Sequence, residues 1–294
     1  MSAPVFHAEL ADPLPPVGST VVLDGPEGRH AAVVRRIRPG ETVLLADGAG
    51  RAVVGPVVGV GKQSISIEVA EHRVEGRPAV RLVVAQALAK GDRGELAVEL
   101  LTEVGVTEIL PWQASRSIVK WSAERGTKGL TRWQSTAREA AKQSRRLWTP
   151  VVAEPVTTRQ LVERVSQTDL ALLLHEEAST DLAEIRLPEE GEVLLVVGPE
   201  GGLTREELTV LSDAGGRPTL LTPHVLRTST AGIVACAGLM LRPAVDTRSE
   251  PVADHPSAAA TRSEPVEDHP SAGSGHRPST GSGHGPSTGS GHAP

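Results

Sequence analysis

The sequence predicts an α/β protein, a parallel sheet with helices on both faces behind a small β-barrel, and three observations carry that expectation. From Pro78 to Leu241, apolar runs alternate with segments of helical periodicity, the pattern of repeated βα units. Residues 1–75 hold shorter apolar runs between Gly-containing turns, as in a barrel of short strands. Residues 246–294 carry no Leu, Ile, Met or aromatic side chain and cannot build a core. The implied boundaries are 1–75 for the barrel, 76–245 for the α/β domain and 246–294 for a disordered low-complexity tail.

In the first part the strand candidates are STVVLDG from Ser19, ETVLLADGAG from Glu41, RAVVGPVVGVG from Arg51 and QSISIEVAEHRV from Gln63. The last alternates Ile65, Ile67 and Val69 with polar residues, the signature of a half-buried strand. A short helix is expected at Gly28–Ile37, and Arg29, Arg35, Arg36, Arg38 and Arg51 make this part locally positive. In the second part Val80–Ala87 reads as a buried strand. Asp92–Val104 places Leu96, Ala97, Leu100, Leu101 and Val104 on one helical face and stops at Gly105, a favoured residue just past a helix. Val106–Leu110 is the next strand, followed by helices at Thr131–Arg145 and Thr158–Val165 and strands at Asp169–Leu174 and Glu192–Val197. Thr204 and Glu207 have capping-box spacing and open another helix. Arg217–Leu221 is the last strand, and Thr228–Leu241 is a nearly all-apolar, buried helix.

Composition excludes several classes. The chain has 294 residues, a net charge of −6, four Trp, one Phe, no Tyr and a single Cys. Cys236 cannot form an internal disulfide or a cysteine-built zinc site, and reads as core packing. No apolar run approaches a membrane span, and Met1–Pro16 lacks the basic start and apolar centre of a signal peptide, so a cytoplasmic protein without membrane contact is expected. The tail repeats TRSEPVADHPSA, from Thr247, with a 14-residue period at Thr261. His276, His284 and His292 within it could capture metal, but its composition favours a solvated extension, and no metal site is expected.

Three segments could carry chemistry. The strand ending at Val197 runs directly into Gly198, Pro199, Glu200, Gly201 and Gly202 and then into the capped helix. Glycines at the carboxyl edge of an α/β sheet let backbone N–H groups approach a ligand, although a plain tight turn uses the same residues. The segment is neither a dinucleotide fingerprint nor a phosphate loop with its Lys-Ser/Thr. One unit later, Thr222–Arg227 forms a loop, and Thr228–Thr230 offer hydroxyls suited to capping the apolar helix. Arg227 stands where a helix start favours an anion; it suits a ligand and a structural ion pair equally. Lastly, Gln113–Trp148 carries nine cations against two acids, and its three tryptophans with Trp112 just before it make up all four in the chain. A positive strip with interleaved rings fits RNA better than a solvated helix face, which mixes charge signs.

GPEGGLTREEL from Gly198, followed by HVLRTSTA from His224 and preceded by ALAKGDRGELAVELLTEVGVTEILP, SRSIVKW and AAKQSRR, closely resembles the bacterial 16S ribosomal RNA uridine-N3 methyltransferases, over about residues 4–243. The resemblance implies a SPOUT-type parallel sheet with a C-terminal trefoil knot, a PUA-like N-terminal barrel, and methylation of N3 of the uridine at position 1498 of 16S rRNA in the small ribosomal subunit. It implies S-adenosylmethionine as cofactor, held by Leu174, by Gly198, Pro199, Glu200, Gly201 and Gly202, and by Leu221, Pro223, Leu226, Arg227, Thr228 and Thr230. Arg146 and Arg227 would hold the target uridine or its phosphate, while Glu200 shapes the donor loop. RNA would lie on Arg116, Lys120, Arg138, Lys142, Arg145 and Arg146, with Arg35, Arg36 and Arg38 of the barrel as a second clamp. A homodimer is also implied, and Thr228–Leu241 suits its interface, although a core helix within one chain fits that segment equally well.

The chain departs from the family pattern at several positions. Lys142 and Arg145 replace an acidic residue and a glycine, Thr222 a glycine, His224 an arginine, Ser229 a glutamate, and Leu100 a lysine. The departures at Thr222, His224 and Ser229 are the support for the other reading, a non-catalytic RNA-binding assembly factor with a degenerate SPOUT domain.

Overall fold

The structure is a computed structural model, and it describes residues 3–241. The expected tail and its histidines lie outside the described residues. The N-terminal part is a six-stranded sheet of β1 (Val5–His7), β2 (Thr20–Leu23), β3 (Thr42–Ala46), β4 (Arg51–Val60), β5 (Ile65–Glu68) and β6 (Glu71–Val74), in the order β1-β3-β4-β5-β2 with β6 also on β4. The first half of β4 pairs with β3 and β6, and after an irregularity between Val57 and Gly59 its end pairs with β5. A bulge bends a strand in this way, so one strand serves both sides of the barrel. Gly55 sits at the crossing, where a Cβ would have no room against the Glu68 carbonyl. Phe6, Leu23, Val43, Leu45, Val53, Ile65 and Ile67 fill the interior. The helix expected at Gly28–Ile37 is shorter and earlier: α1 spans Gly25–Arg29, begins with Pro26 in its first turn, and runs into a π-helical turn at His30–Val34.

The second part alternates β7 (Val80–Ala87), α2 (Arg93–Glu103), β8 (Glu108–Trp112), α3 (Ala123–Gln143), β9 (Val151–Val152), α4 (Thr158–Ser166), β10 (Leu170–Leu174), β11 (Gly191–Val197), α5 (Arg205–Asp213), β12 (Arg217–Thr219) and α6 (Thr228–Met240). All six strands are parallel, in the order β12-β10-β11-β7-β8-β9. Alternate residues of one strand face opposite layers. Leu82, Val84, Val193 and Leu195 pack in one core with Leu101, Trp133, Ala137, Ala235 and Leu239, under α2, α3 and α6. Val83, Ala85, Leu194 and Val196 pack in another with Leu161, Val165 and Leu211, under α4 and α5. Burial on both faces explains why these strands read as continuous apolar runs.

The helix expected from Thr131 begins at Ala123 instead. Gly126 and Gly129 suggest a break in the sequence, but both lie against Trp121, and a Cβ at Gly129 would stand 2.5 Å from its ring. The strand expected at Val106–Leu110 lies two residues later, and the last strand stops at Thr219.

The chain moves outward from β7 to β8 and β9, then crosses to the opposite side for β10, β11 and β12. The order therefore reverses beside β7, and the carboxyl ends of β7 and β11 flank that point, where open α/β sheets collect ligands. The barrel docks at the carboxyl end of α3 and on the residues that follow it. The Gly50 and Thr149 amides donate to Leu147 O (3.0 Å) and Gly48 O (2.9 Å), and Trp148 Nε1 donates to Glu75 O at 2.9 Å.

Candidate active site and RNA surface

At the carboxyl edge of β11 the glycine-rich loop is held from outside. Glu200 Oε1 accepts the Lys90 amide at 3.1 Å and lies 3.6 Å from Arg93 Nη1, which ties the loop to the segment after β7. Arg116 Nη1 donates to Gly201 O at 2.7 Å and Leu203 O at 3.2 Å. Gly202 is left-handed (φ 67°), a conformation that favours glycine. Beyond it, Thr204 Oγ1 accepts the Glu207 amide while Glu207 Oε2 accepts the Thr204 amide, and this reciprocal cap starts α5. Glu207 Oε1 also accepts the Ser115 amide at 2.7 Å. Burial pushes the Glu207 carboxyl up, but the amides of Thr204 and Ser115 outweigh it and hold its pKa below the ordinary glutamate value.

The second loop closes on the first through Thr228. Its Oγ1 donates to Gly198 O at 2.7 Å and accepts from Gln86 Nε2 at 3.0 Å, joining the end of β7, the loop after β11 and the start of α6. The expectation that Thr228–Thr230 cap their own helix is corrected. Arg227 is the N-cap residue without a side-chain bond, Thr228 is turned to the other loop, and Thr230 Oγ1 donates back to Arg227 O at 3.2 Å. Gln86 is fully buried, and its Oε1 has no hydrogen-bond partner among the described residues. Leu174, Leu221 and Leu226 meet around a cavity of about 80 Å³ that His175, Glu176 and Thr222 also line. Pro223 and Arg227 are exposed, and the Arg227 guanidinium has no ion pair among the described residues. The first and second loops and Leu174 thus converge on one edge of the sheet.

The basic strip is split by the fold. The 21 residues of α3 span about 30 Å from the loop edge towards the barrel. Lys120 lies at the loop end, and Arg116 is there as well, holding the glycine loop. At the other end Arg35 and Arg145 line a cavity of about 130 Å³ between barrel and helix, with Phe6, His30 and Gln143. Arg36, Arg38 and Arg138 are exposed nearby in sequence, and Arg36 and Arg145 both adopt left-handed backbone (φ 53° and 58°).

Two expected RNA contacts are corrected. Lys142 is buried and ion-paired with Glu27 and Glu139, each at 2.7 Å, so it locks α3 to the barrel. Arg146 donates to Thr102 O (2.7 Å), Val106 O (3.0 Å) and Gly105 O (3.3 Å), the carbonyls that end α2. Those carbonyls lie at the amino edge of the sheet, so within one chain Arg146 is not brought to the loops. The rings also divide. Trp112 and Trp133 are buried, and Trp148 is fixed between Glu75, Gly50 and the Arg77 guanidinium, 4.8 Å from its ring. Trp121, half-buried, lines a large cleft together with the buried Trp133 behind it.

An RNA methyltransferase domain family matches residues 76–240, and an RNA methyltransferase PUA domain family matches residues 23–70. The ribosomal RNA small subunit methyltransferase E of Mycobacterium bovis is 46% identical over 241 residues, covering 80% of this chain and 90% of its own length. The chain belongs to the ribosomal RNA small subunit methyltransferase E family. A member of that family from Neisseria gonorrhoeae, solved bound to S-adenosyl methionine, superposes with a TM-score of 0.73 at 30% identity, over 81% of this chain and 97% of that one. A Legionella pneumophila protein solved in complex with the same cofactor gives 0.73 at 29% identity, over 82% and 98%. The expected α/β fold of this family, with its N-terminal PUA domain, is observed.

One polar residue of the site, Gln86, escaped the sequence reading, and one, Glu207, does more than it showed. Gln86 is a lone carboxamide at the end of VRLVVAQA, and a polar residue ending an otherwise apolar strand is the signal that could have found it. Glu207 reads as a helix cap, which it is, but it also holds Ser115.

Proposed function

We propose that this chain transfers a methyl group from S-adenosylmethionine to N3 of the uridine at position 1498 of 16S rRNA, within the small ribosomal subunit. The observation that carries the reading is the joining of the two loops at the sheet's switch point by Thr228, in a chain of this methyltransferase family. The residues fit the donor. Gly198, Gly201 and Gly202 put no side chain on the first loop, Leu174, Leu221 and Leu226 give the cavity beside the second loop apolar walls, and the carboxylates of Glu176 and Glu200 suit a cationic donor. S-adenosylmethionine, when bound, supplies a methyl already activated by its sulfonium, so the chain's task is placement. In this reading Arg227 faces the uridine and stabilises the negative charge left as the N3 proton departs. Glu200 keeps the first loop in position through Lys90 and Arg93, and the knot implied by the resemblance gathers both loops.

RNA is held at two ends of α3. Lys120 and Arg116 lie near the loops, and Arg35, Arg36, Arg38, Arg138 and Arg145 lie near the barrel; their phosphate contacts make affinity salt-dependent. The apolar side chains that α6 leaves exposed, Val234 and Met240, with Leu241 beyond its end, suit packing on a second copy. The site of action is the cytoplasm. Mass spectrometry of 16S rRNA from cells lacking the gene tests the proposal: one N3-methyluridine disappears, whereas an unchanged methylation map overturns it. The assembly-factor reading differs in one observable, since a non-catalytic chain restores subunit assembly without restoring the methyl group.

A further inference from the structure

One cleft among the described residues has no part in the donor site above. It measures about 500 Å³, within the range of small-ligand sites, and lies between the Leu88–Glu95 segment, Ile118–Trp121 and the first half of α3. We propose that this cleft is a nucleotide subsite, taking one unstacked nucleotide of the RNA that flanks the methylated uridine. The inference rests on the RNA-methyltransferase reading and adds to it a second point of base recognition.

Four observations carry it. First, Trp121 lines the cleft half-buried, braced edge-to-face on the buried Trp133 with ring centroids 5.3 Å apart. Second, both rings are seated on glycine: a Cβ at Gly129 would stand 2.5 Å from Trp121, and one at Gly94 2.9 Å from Trp133. Glycine inside a helix is unfavourable, so Gly129 in the interior of α3 marks a place where the ring must lie against the backbone. Third, Ile118 is 70% exposed at the rim, an apolar side chain beside an indole and open to a planar partner. Fourth, the rim is cationic. Arg132 is paired with Glu95 at 3.0 Å and Lys128 with Glu124 at 2.8 Å, while Lys120 has no ion pair among the described residues and is available to a phosphate.

An aromatic face beside an apolar rim and a free cation is the chemistry of a base-stacking site with a phosphate contact. Position agrees with this role. The cleft wall Leu88–Glu95 contains Lys90 and Arg93, which hold Glu200, so one short segment separates the cleft from the donor loop.

The test is equilibrium binding of a fluorescein-labelled single-stranded RNA ten-mer, carrying 5-iodouridine, to the full chain, with S-adenosylmethionine affinity measured in parallel. Trp121→Ala should bind the RNA about tenfold more weakly, as expected for one lost stacked base. Trp121→Phe should recover most of that, and Lys120→Ala should lower the slope of log affinity against log salt by about one. Donor affinity stays unchanged in all three, and ultraviolet cross-linking places the iodouridine on the Ile118–Trp121 peptide. If Trp121→Ala fails to fold, the cross-link and the Lys120→Ala slope decide. RNA affinity and salt slope unchanged in folded variants, or cross-links confined to other segments, overturn the subsite and leave the cleft to a protein ligand. Failure of the methyltransferase reading is distinguishable, because it shows as absent donor binding in the unaltered chain.

Discussion

Replacing Thr228 with Val removes the hydroxyl that joins the two loops and changes the side chain's shape little. Gly198 O loses its 2.7 Å donor, and Gln86 Nε2 loses its 3.0 Å acceptor but keeps contacts of 3.3 Å to Ala87 O and Thr228 O. Thr228 is only 5% exposed, so water does not readily replace the lost partner. Each neutral buried hydrogen bond contributes about 1 kcal/mol, and a buried group left unsatisfied costs about 1–3 kcal/mol. With Gln86 partly satisfied, the net loss is about 2 kcal/mol. For a folded unit of this size that lowers Tm by about 4–8 °C. Where the same free energy is needed to reassemble the loops around the donor, affinity for S-adenosylmethionine falls by up to about 30-fold. Calorimetric unfolding and isothermal titration read the two effects, and Thr228→Ser, which keeps the hydroxyl, should restore most of both. A Thr228→Val protein with unchanged Tm and donor affinity would refute the view that this hydroxyl holds the site together.

Other outcomes follow from the same contacts. Arg146→Ala uncovers the carbonyls that end α2; with charged hydrogen bonds worth about 1.5–3 kcal/mol each, Tm should drop by roughly 6 °C or more, while donor affinity of the folded protein is kept. Gly202→Ala meets no closer neighbour than Glu176 Oε1 at 3.8 Å, so its cost is the left-handed backbone, about 1–2 kcal/mol, read as lower Tm and weaker donor binding. Because the folded-state pKa of Glu207 is depressed, its contribution to stability is fully present above the unfolded value of about 4.3 and is lost as pH falls through the folded value. The stability difference between the unaltered chain and Glu207→Gln should therefore be constant at neutral pH and shrink in acid urea titrations. Burial pushes the Cys236 thiol up to about 12, so iodoacetamide should leave it unmodified at pH 8 in the folded protein and alkylate it in denaturant.

Much of the α/β part was legible because parallel strands buried on both faces appear as uninterrupted Val/Leu runs, and β7, α2, β10 and β11 lie within a residue or two of expectation. The start of α3 was not, since Gly126 and Gly129 resemble breakers until Trp121, placed there by the preceding segment, shows why they are glycine. The two residues of β9 have no periodicity to read. The glycine loop after β11 was visible as chemistry because glycines at a strand's end have a local meaning. The bond that completes the site was not, because Gln86 and Thr228 are 142 positions apart and neither carries a local sign of the other. Counting cations likewise found the basic strip but could not separate Lys120, open to solvent, from Lys142, closed by two carboxylates, or from Arg146, turned to helix carbonyls.

The central claim is tested most directly by incubating the purified chain with S-adenosylmethionine and small ribosomal subunits from cells lacking the gene, then mapping the 16S rRNA by mass spectrometry. One N3-methyluridine at position 1498, with no other new methyl group, is the predicted result. Donor bound but no methyl transferred, or a methyl placed on a different nucleotide, contradicts it.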